Sequence, residues 1–248
     1  MKFLRIANFL SVIAVFIFST EAMVAQSSTD DSVLYERAIH NLVGLYQQSS
    51  GDQSGLFNGS QYGSYPFKFE EAGHAYFNAD KSGYGSVMYD GILYENVSMQ
   101  FDEIQEVLVI DSSSRRIQLL NERLAAFTLF DHNFIHIIKD SESAVLVRNG
   151  FYDILYNGNV SLLKKEEKLI REDVATGVLL RFIDVHSYYY IKRNSTYYSI
   201  KSKKSLFSIF KDRKKDVKQY VRKNKLSYRK DRENMLIRAT AYYDQLIK

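Results

Sequence analysis

Two histidines four residues apart, in His132-Asn133-Phe134-Ile135-His136, come closest in type and spacing to a metal site. On a helix that spacing puts both rings on one face, which suits zinc. On a strand it separates them by roughly 13 Å, too far for one ion. The flanking residues alternate as in a strand, the chain has no cysteine, and no His-Glu-x-x-His motif occurs, so no metal site is expected. His74 beside Gly73, Asp90 in a Tyr-Asp-Gly segment and His186 would make an acid–base group if the fold joined them. Turn chemistry accounts for Asp90-Gly91 without catalysis. Gly51-Asp52-Gln53-Ser54-Gly55 has the outline of a serine motif but lacks a strand-to-helix setting. No phosphate-binding loop or dinucleotide glycine fingerprint appears, and no cofactor is expected.

Charge is the other chemical resource. Residues 201–232 hold 14 Lys and Arg against 3 Asp, with Phe207, Phe210, Tyr220 and Tyr228 interleaved. Within this run Lys211, Arg213, Lys214, Lys215, Lys218, Arg222 and Lys223 are the candidate anion-binding residues. The net charge of +4 hides a polarity. Residues 26–200 carry 15 basic and 23 acidic side chains, whereas residues 201–248 carry 16 and 5. The basic segment could clamp onto its own acidic body, or face outward towards anionic lipid or lipopolysaccharide phosphates. A solvated helix face whose lysine stems cover apolar surface is the plainer reading.

The elements that must position these residues follow from periodicity. Met1-Lys2-Phe3-Leu4-Arg5 is basic, residues 9–18 are almost wholly apolar, and Ala22 and Ala25 are small. That order predicts a signal peptide over residues 1–25, cleaved after Ala22 or Ala25, and hence a periplasmic or extracellular protein. Nucleic acid is then not an expected partner. Leu34, Ala38, Leu42 and Leu45 predict a helix over residues 32–47, and Ser- and Gly-rich residues 49–64 a loop. From residue 67 to 200 the period becomes two, in short runs rich in β-branched and aromatic residues. Short polar turns between them imply antiparallel meanders. Tyr156-Asn157-Gly158-Asn159 reads as a hairpin turn with positive φ at both central positions. Residues 89–98 and 152–161 share a weak repeat, read as two hairpins obeying the same turn chemistry rather than as a duplication. Two apolar stripes follow, Leu206 to Val221 with Ser205 as cap, and Leu236 to Leu246 after Asp231, and predict a helical hairpin.

Leu56-Phe57-Asn58-Gly59-Ser60-Gln61-Tyr62, Gly73-His74-Ala75-Tyr76-Phe77, Val87-Met88-Tyr89-Asp90-Gly91, residues 151–158 and the closing Tyr242-Tyr243-Asp244 resemble marks of uncharacterised exported proteins of Bacteroidota. The resemblance spans most of the chain beyond residue 25. It implies an envelope location and a β-rich body with helical ends, and carries no activity.

The expected fold is therefore α+β: an N-terminal helix and loop (26–66), a large antiparallel sheet, curled or an open barrel (67–200), and a basic helical hairpin (201–248) packed on it. The expected role is a non-catalytic envelope protein that binds or scaffolds, with an anionic lipid, lipopolysaccharide or another envelope protein as partner. The alternative is an envelope hydrolase with its site near His74 and Asp90.

Overall fold

The computed structural model describes residues 55–112, 115–138 and 147–248. The expected signal peptide, the helix over 32–47 and the turn at 140–143 lie outside the described residues. The rest forms the antiparallel β-architecture expected from the period-two pattern, with helices at its C-terminal end. Its strands are β1 (Ser60–Gln61), β2 (Gly83–Tyr89), β3 (Ile92–Asp102), β4 (Val107–Asp111), β5 (Arg116–Gln118) and β6 (Leu124–Leu129). They continue with β7 (His132–Ile137), β8 (Gly150–Asn157), β9 (Val160–Ala175), β10 (Val178–Arg193) and β11 (Thr196–Ser199). All join one open sheet in the order β1-β5-β4-β3-β2-β6-β7-β8-β9-β10-β11. The segment 49–64, expected as loop, contributes a short 3-10 turn at Gly55–Phe57 and edge strand β1, and its Leu56 is buried.

One face of the sheet is lined with aromatic rings that leave water together. Phe101, Phe127, Phe134 and Phe151, from β3, β6, β7 and β8, have ring centroids 4.5–5.6 Å apart. Phe77 closes on Phe134 at 5.0 Å. The curl brings the end of β3 against β9, where the Lys168 amide donates to the Glu103 carbonyl at 3.2 Å.

Turn chemistry fixes the register. Asp90-Gly91, Phe130-Asp131 and Thr176-Gly177 join their strands as two-residue loops with positive φ at both positions, the twist that suits tight hairpins. The expected Asn157-Gly158 turn does connect β8 to β9, but neither residue has positive φ. Nor do the two repeat segments correspond. Asp90-Gly91 forms a turn, whereas Tyr152-Asp153 lies inside β8. In β3 the residue out of step is Asn96, at φ 55°, where one extra residue enters the ladder opposite β2.

Strands β9 and β10 pair without a break from Arg193↔Val160 to Val178↔Ala175. Strand β8 accompanies β9 only to Lys164, and β11 accompanies β10 only from Tyr190. The remainder is a two-stranded ribbon. Arg171–Asp184 and Arg181–Glu172 pair across it at 3.2 and 2.8 Å. Residues 174–180 at its tip carry no charge, and Val174, Val178 and Leu179 are 67%, 57% and 44% exposed.

The helical layer comprises α1 (Lys203–Ile209), a 3-10 turn at Lys211–Arg213, α2 (Lys214–Lys223) and α3 (Arg232–Leu246). The stripe expected as one helix from Leu206 to Val221 is thus broken after Ile209. Its cap is Ser202, whose hydroxyl accepts the Ser205 amide, while Ser205 bonds back to the Ser202 amide. Asn224 and Asp231 bound the later helices as expected. Leu206, Phe210, Val217, Val221, Leu236, Ala239 and Tyr243 bury together against Val160, Leu162 and Ile191.

Candidate anion-binding groove

Helix α2 is strongly two-sided. Val217 and Val221 are buried, whereas Lys214, Lys215, Lys218, Arg222 and Lys223 are exposed. Its C-terminus closes in a Schellman motif. The Leu226 amide donates to the Val221 carbonyl at 3.0 Å, and the Lys225 amide to the Arg222 carbonyl at 3.1 Å. The geometry demands a left-handed residue, and Lys225 takes it at φ 52°. Glycine is the usual choice there, since a side chain pays a steric penalty.

Between α1 and α2 lies an open groove of about 660 Å³ lined by Lys203, Phe207, Lys218, Gln219, Val221, Arg222, Lys225 and Leu226. Its floor is Phe207 with Val221 and Leu226, the apolar pair that a Schellman motif brings together. Its rim is cationic, and no acid lines it. Lys203 and Lys218 stand over the Phe207 ring at 5.9 and 5.6 Å from its centroid. Among the described residues none of the four rim cations enters an ion pair.

The acids of the helical layer are committed elsewhere. Lys164 of β9 pairs with Glu233 at 3.1 Å, and Arg193 of β10 with Asp212 at 3.7 Å. Asp212 also accepts from the Tyr243 hydroxyl at 3.0 Å. Asp244 accepts the Val160 amide, and Asp231 caps α3. Only Asp216 has no such bond. Among the described residues the ion pairs between sheet and helices therefore run body cation to helix acid, opposite to the net charges of the two parts; the one basic side chain of α3 that meets the sheet, Arg232, does so on the Ile200 carbonyl and the Tyr189 ring. The basic face takes no part in docking the helices on the sheet.

Of the seven candidate residues, the structure brings Lys218 and Arg222 into the groove. Lys211 and Arg213 lie in the preceding 3-10 turn, Lys214 and Lys215 begin α2, and Lys223 ends it. Lys203 and Lys225 join the rim from outside that set. Their signal was present but faint: Asn224-Lys225-Leu226 follows an apolar stripe as a C-cap sequence with lysine in the glycine position.

The histidines fall otherwise. His74 precedes Ala75, whose carbonyl accepts the Glu103 amide just beyond the end of β3, while Asp90 precedes its start. The eleven residues of β3 set the two roughly 30 Å apart. Asp90 is bonded to Arg123. His74 is held below the ordinary histidine range by burial and by Lys168. His186 is exposed on β10 opposite Glu167. No hydrogen bond or ion pair among the described residues joins these three groups.

His132 and His136 both lie on β7 with separate partners. The His136 Nδ1 meets the Leu124 carbonyl at 3.1 Å, and its ring stacks on Phe151. The His132 Nδ1 lies 2.7 Å from the Asp153 carboxylate, a pairing the sequence did not suggest. Burial raises Asp153 above the usual carboxylate range, opposed by His132. Next to Asp153, Lys164 bridges Glu166 at 2.8 Å and Glu233. Burial disfavours its charge, but the two carboxylates outweigh this and hold it above the ordinary lysine range. This network ties β7, β8 and β9 to α3.

Comparison with known protein families, curated proteins and solved structures returns no match to this chain.

Proposed function

We propose that this is an exported, non-catalytic binding protein of the cell envelope whose helical layer docks on an anionic lipid surface, either anionic phospholipid or lipopolysaccharide. The observation that carries the reading is the free cationic rim of Lys203, Lys218, Arg222 and Lys225, left unpaired while the acids of the same layer bond elsewhere. A phosphate-rich surface supplies the missing counter-charge, at about 1 kcal/mol per basic side chain near the surface. Export rests on the order of charge and apolarity in residues 1–25. The hydrolase alternative at His74 and Asp90 draws no support from a fold that spaces them along the length of β3.

Co-sedimentation with vesicles tests the proposal. The full chain is expected to bind phosphatidylglycerol-containing vesicles at low salt, to ignore phosphatidylcholine vesicles, and to release as ionic strength rises. Reversing two rim charges, Lys218→Glu with Arg222→Glu, is expected to weaken binding by about tenfold or more. Indifference of the unaltered chain to anionic vesicles at low salt sinks the proposal.

A further inference from the structure

A surface that merely attracts headgroups needs charge and no cavity. Here four cations ring a groove whose floor is apolar. Phe207 and Val221 are buried beneath it, and Leu226 is partly buried beside them. Its volume of about 660 Å³ falls within the few hundred to a thousand cubic ångströms of small-molecule sites. A free phosphate would satisfy the rim and leave Leu226 and the aliphatic stems of the rim cations wet. A neutral hydrocarbon would cover the floor and leave the rim unpaired.

Lys225 occupies the left-handed position that closes α2. Glycine would close the helix with less strain, but would remove one cation from the rim and leave Leu226 in place. Ten other non-glycine residues of the described chain also take positive φ, so what Lys225 adds to the groove is its charge on the rim.

We propose that the groove between α1 and α2 binds a single-chain anionic amphiphile, with its phosphate on Lys203, Lys218, Arg222 and Lys225 and its acyl chain over Leu226 and the aliphatic stems of Lys203 and Lys218, above the buried Phe207. This rests on the lipid-surface reading and goes further. The protein takes hold of one lipid chain rather than lying on a charged sheet of headgroups.

The chain contains no tryptophan, so Gln219→Trp on the exposed groove wall is a single reporter. It is titrated, in the full chain, with octyl, decyl and dodecyl phosphate below their aggregation limits, with matched alkylphosphocholines, and with inorganic phosphate. The expected result is a saturable blue shift with the alkyl phosphates and quenching by a terminally brominated chain. Affinity should rise about two- to fourfold per added methylene. Inorganic phosphate should give no shift, and the phosphocholines at least tenfold weaker binding. Calorimetry on the unsubstituted chain guards against the indole filling the groove itself. Absence of binding to every alkyl phosphate, while anionic vesicles still bind, overturns the groove and leaves the surface reading standing. Equal binding of phosphocholines, or no dependence on chain length, also overturns it. Loss of vesicle and alkyl phosphate binding together removes both proposals.

Discussion

The Asp244 carboxylate, fully buried on α3, accepts the Val160 amide at 3.0 Å and so holds the β8–β9 turn from outside the sheet. Its other oxygen accepts from the Tyr156 hydroxyl at 3.1 Å. A Cβ added at Gly158 would stand 2.6 Å from that oxygen. Glycine is therefore needed here for closeness to a helix rather than for positive φ.

Asp244→Ala leaves a buried amide and a hydroxyl without their acceptor and is expected to cost about 2–4 kcal/mol in urea unfolding. Asp244→Asn keeps one acceptor oxygen and should lose about half as much. A wild-type midpoint for Asp244→Ala would show that the helical layer does not stabilise the turn.

Glu103, in the β3–β4 turn, pairs with Lys168 of β9 at 3.1 Å in a site closed to water. Burial raises its carboxyl to about 7, with Lys168 opposing. The folded protein therefore holds this proton more tightly than the unfolded chain. The stability it contributes is full below about pH 4.5 and is lost as pH rises through about 7, by an amount on the order of 3 kcal/mol. Unfolding free energies of wild type and Glu103→Gln across pH 4–8 should diverge in that window, with the variant flatter. Parallel curves would refute the assignment.

Thr176 is β-branched and sits at φ 52° in the turn at the ribbon tip, before Gly177. Thr176→Asn supplies the preferred Asn-Gly pair and should stabilise the ribbon by about 0.5–1 kcal/mol. Because the tip makes few tertiary contacts, the gain should appear as slower amide exchange in residues 170–183 rather than in the global midpoint.

Lys225→Gly separates folding from binding. Relief of the left-handed strain should raise stability by up to about 1 kcal/mol. Loss of a rim cation should weaken anionic-vesicle binding several-fold. A gain in stability with unchanged binding would remove Lys225 from the site.

The β-architecture was legible because alternation and the Asp90-Gly91 turn are local signals. Where a tertiary contact decided the outcome, local signals misled. Asn157-Gly158 spelled a positive-φ turn, yet Asp244, more than eighty residues away, shaped it differently. The stripe from Leu206 to Val221 spelled one helix, but Ser202 capped it earlier and the chain broke near Phe210. All four cations that line the groove lie in the basic run, but only Lys218 and Arg222 are among the seven candidates read from it. Lys203 and Lys225 lie beyond the helix that carries the pattern: the packing of α1 on α2 brings the first to it, and the closing turn of α2 the second. The pairing of His132 with Asp153 joins two strands across a sheet, which no spacing in one strand can foretell.

The unbroken β9–β10 ladder also behaves as a gauge. It carries an uncharged tip roughly 35 Å beyond Lys165, past the bonds of Lys168 to Glu103 and of Arg181 to Glu70, and its length is set by residue count. Removing two residues from each strand would draw the tip in by about 7 Å and leave every remaining side chain on its original face. Removing one from each would turn the tip over, so that Val174 and Leu179 exchanged sides with Ala175 and Val178. Reach and facing can thus be altered separately, and whatever meets the tip must respond to both.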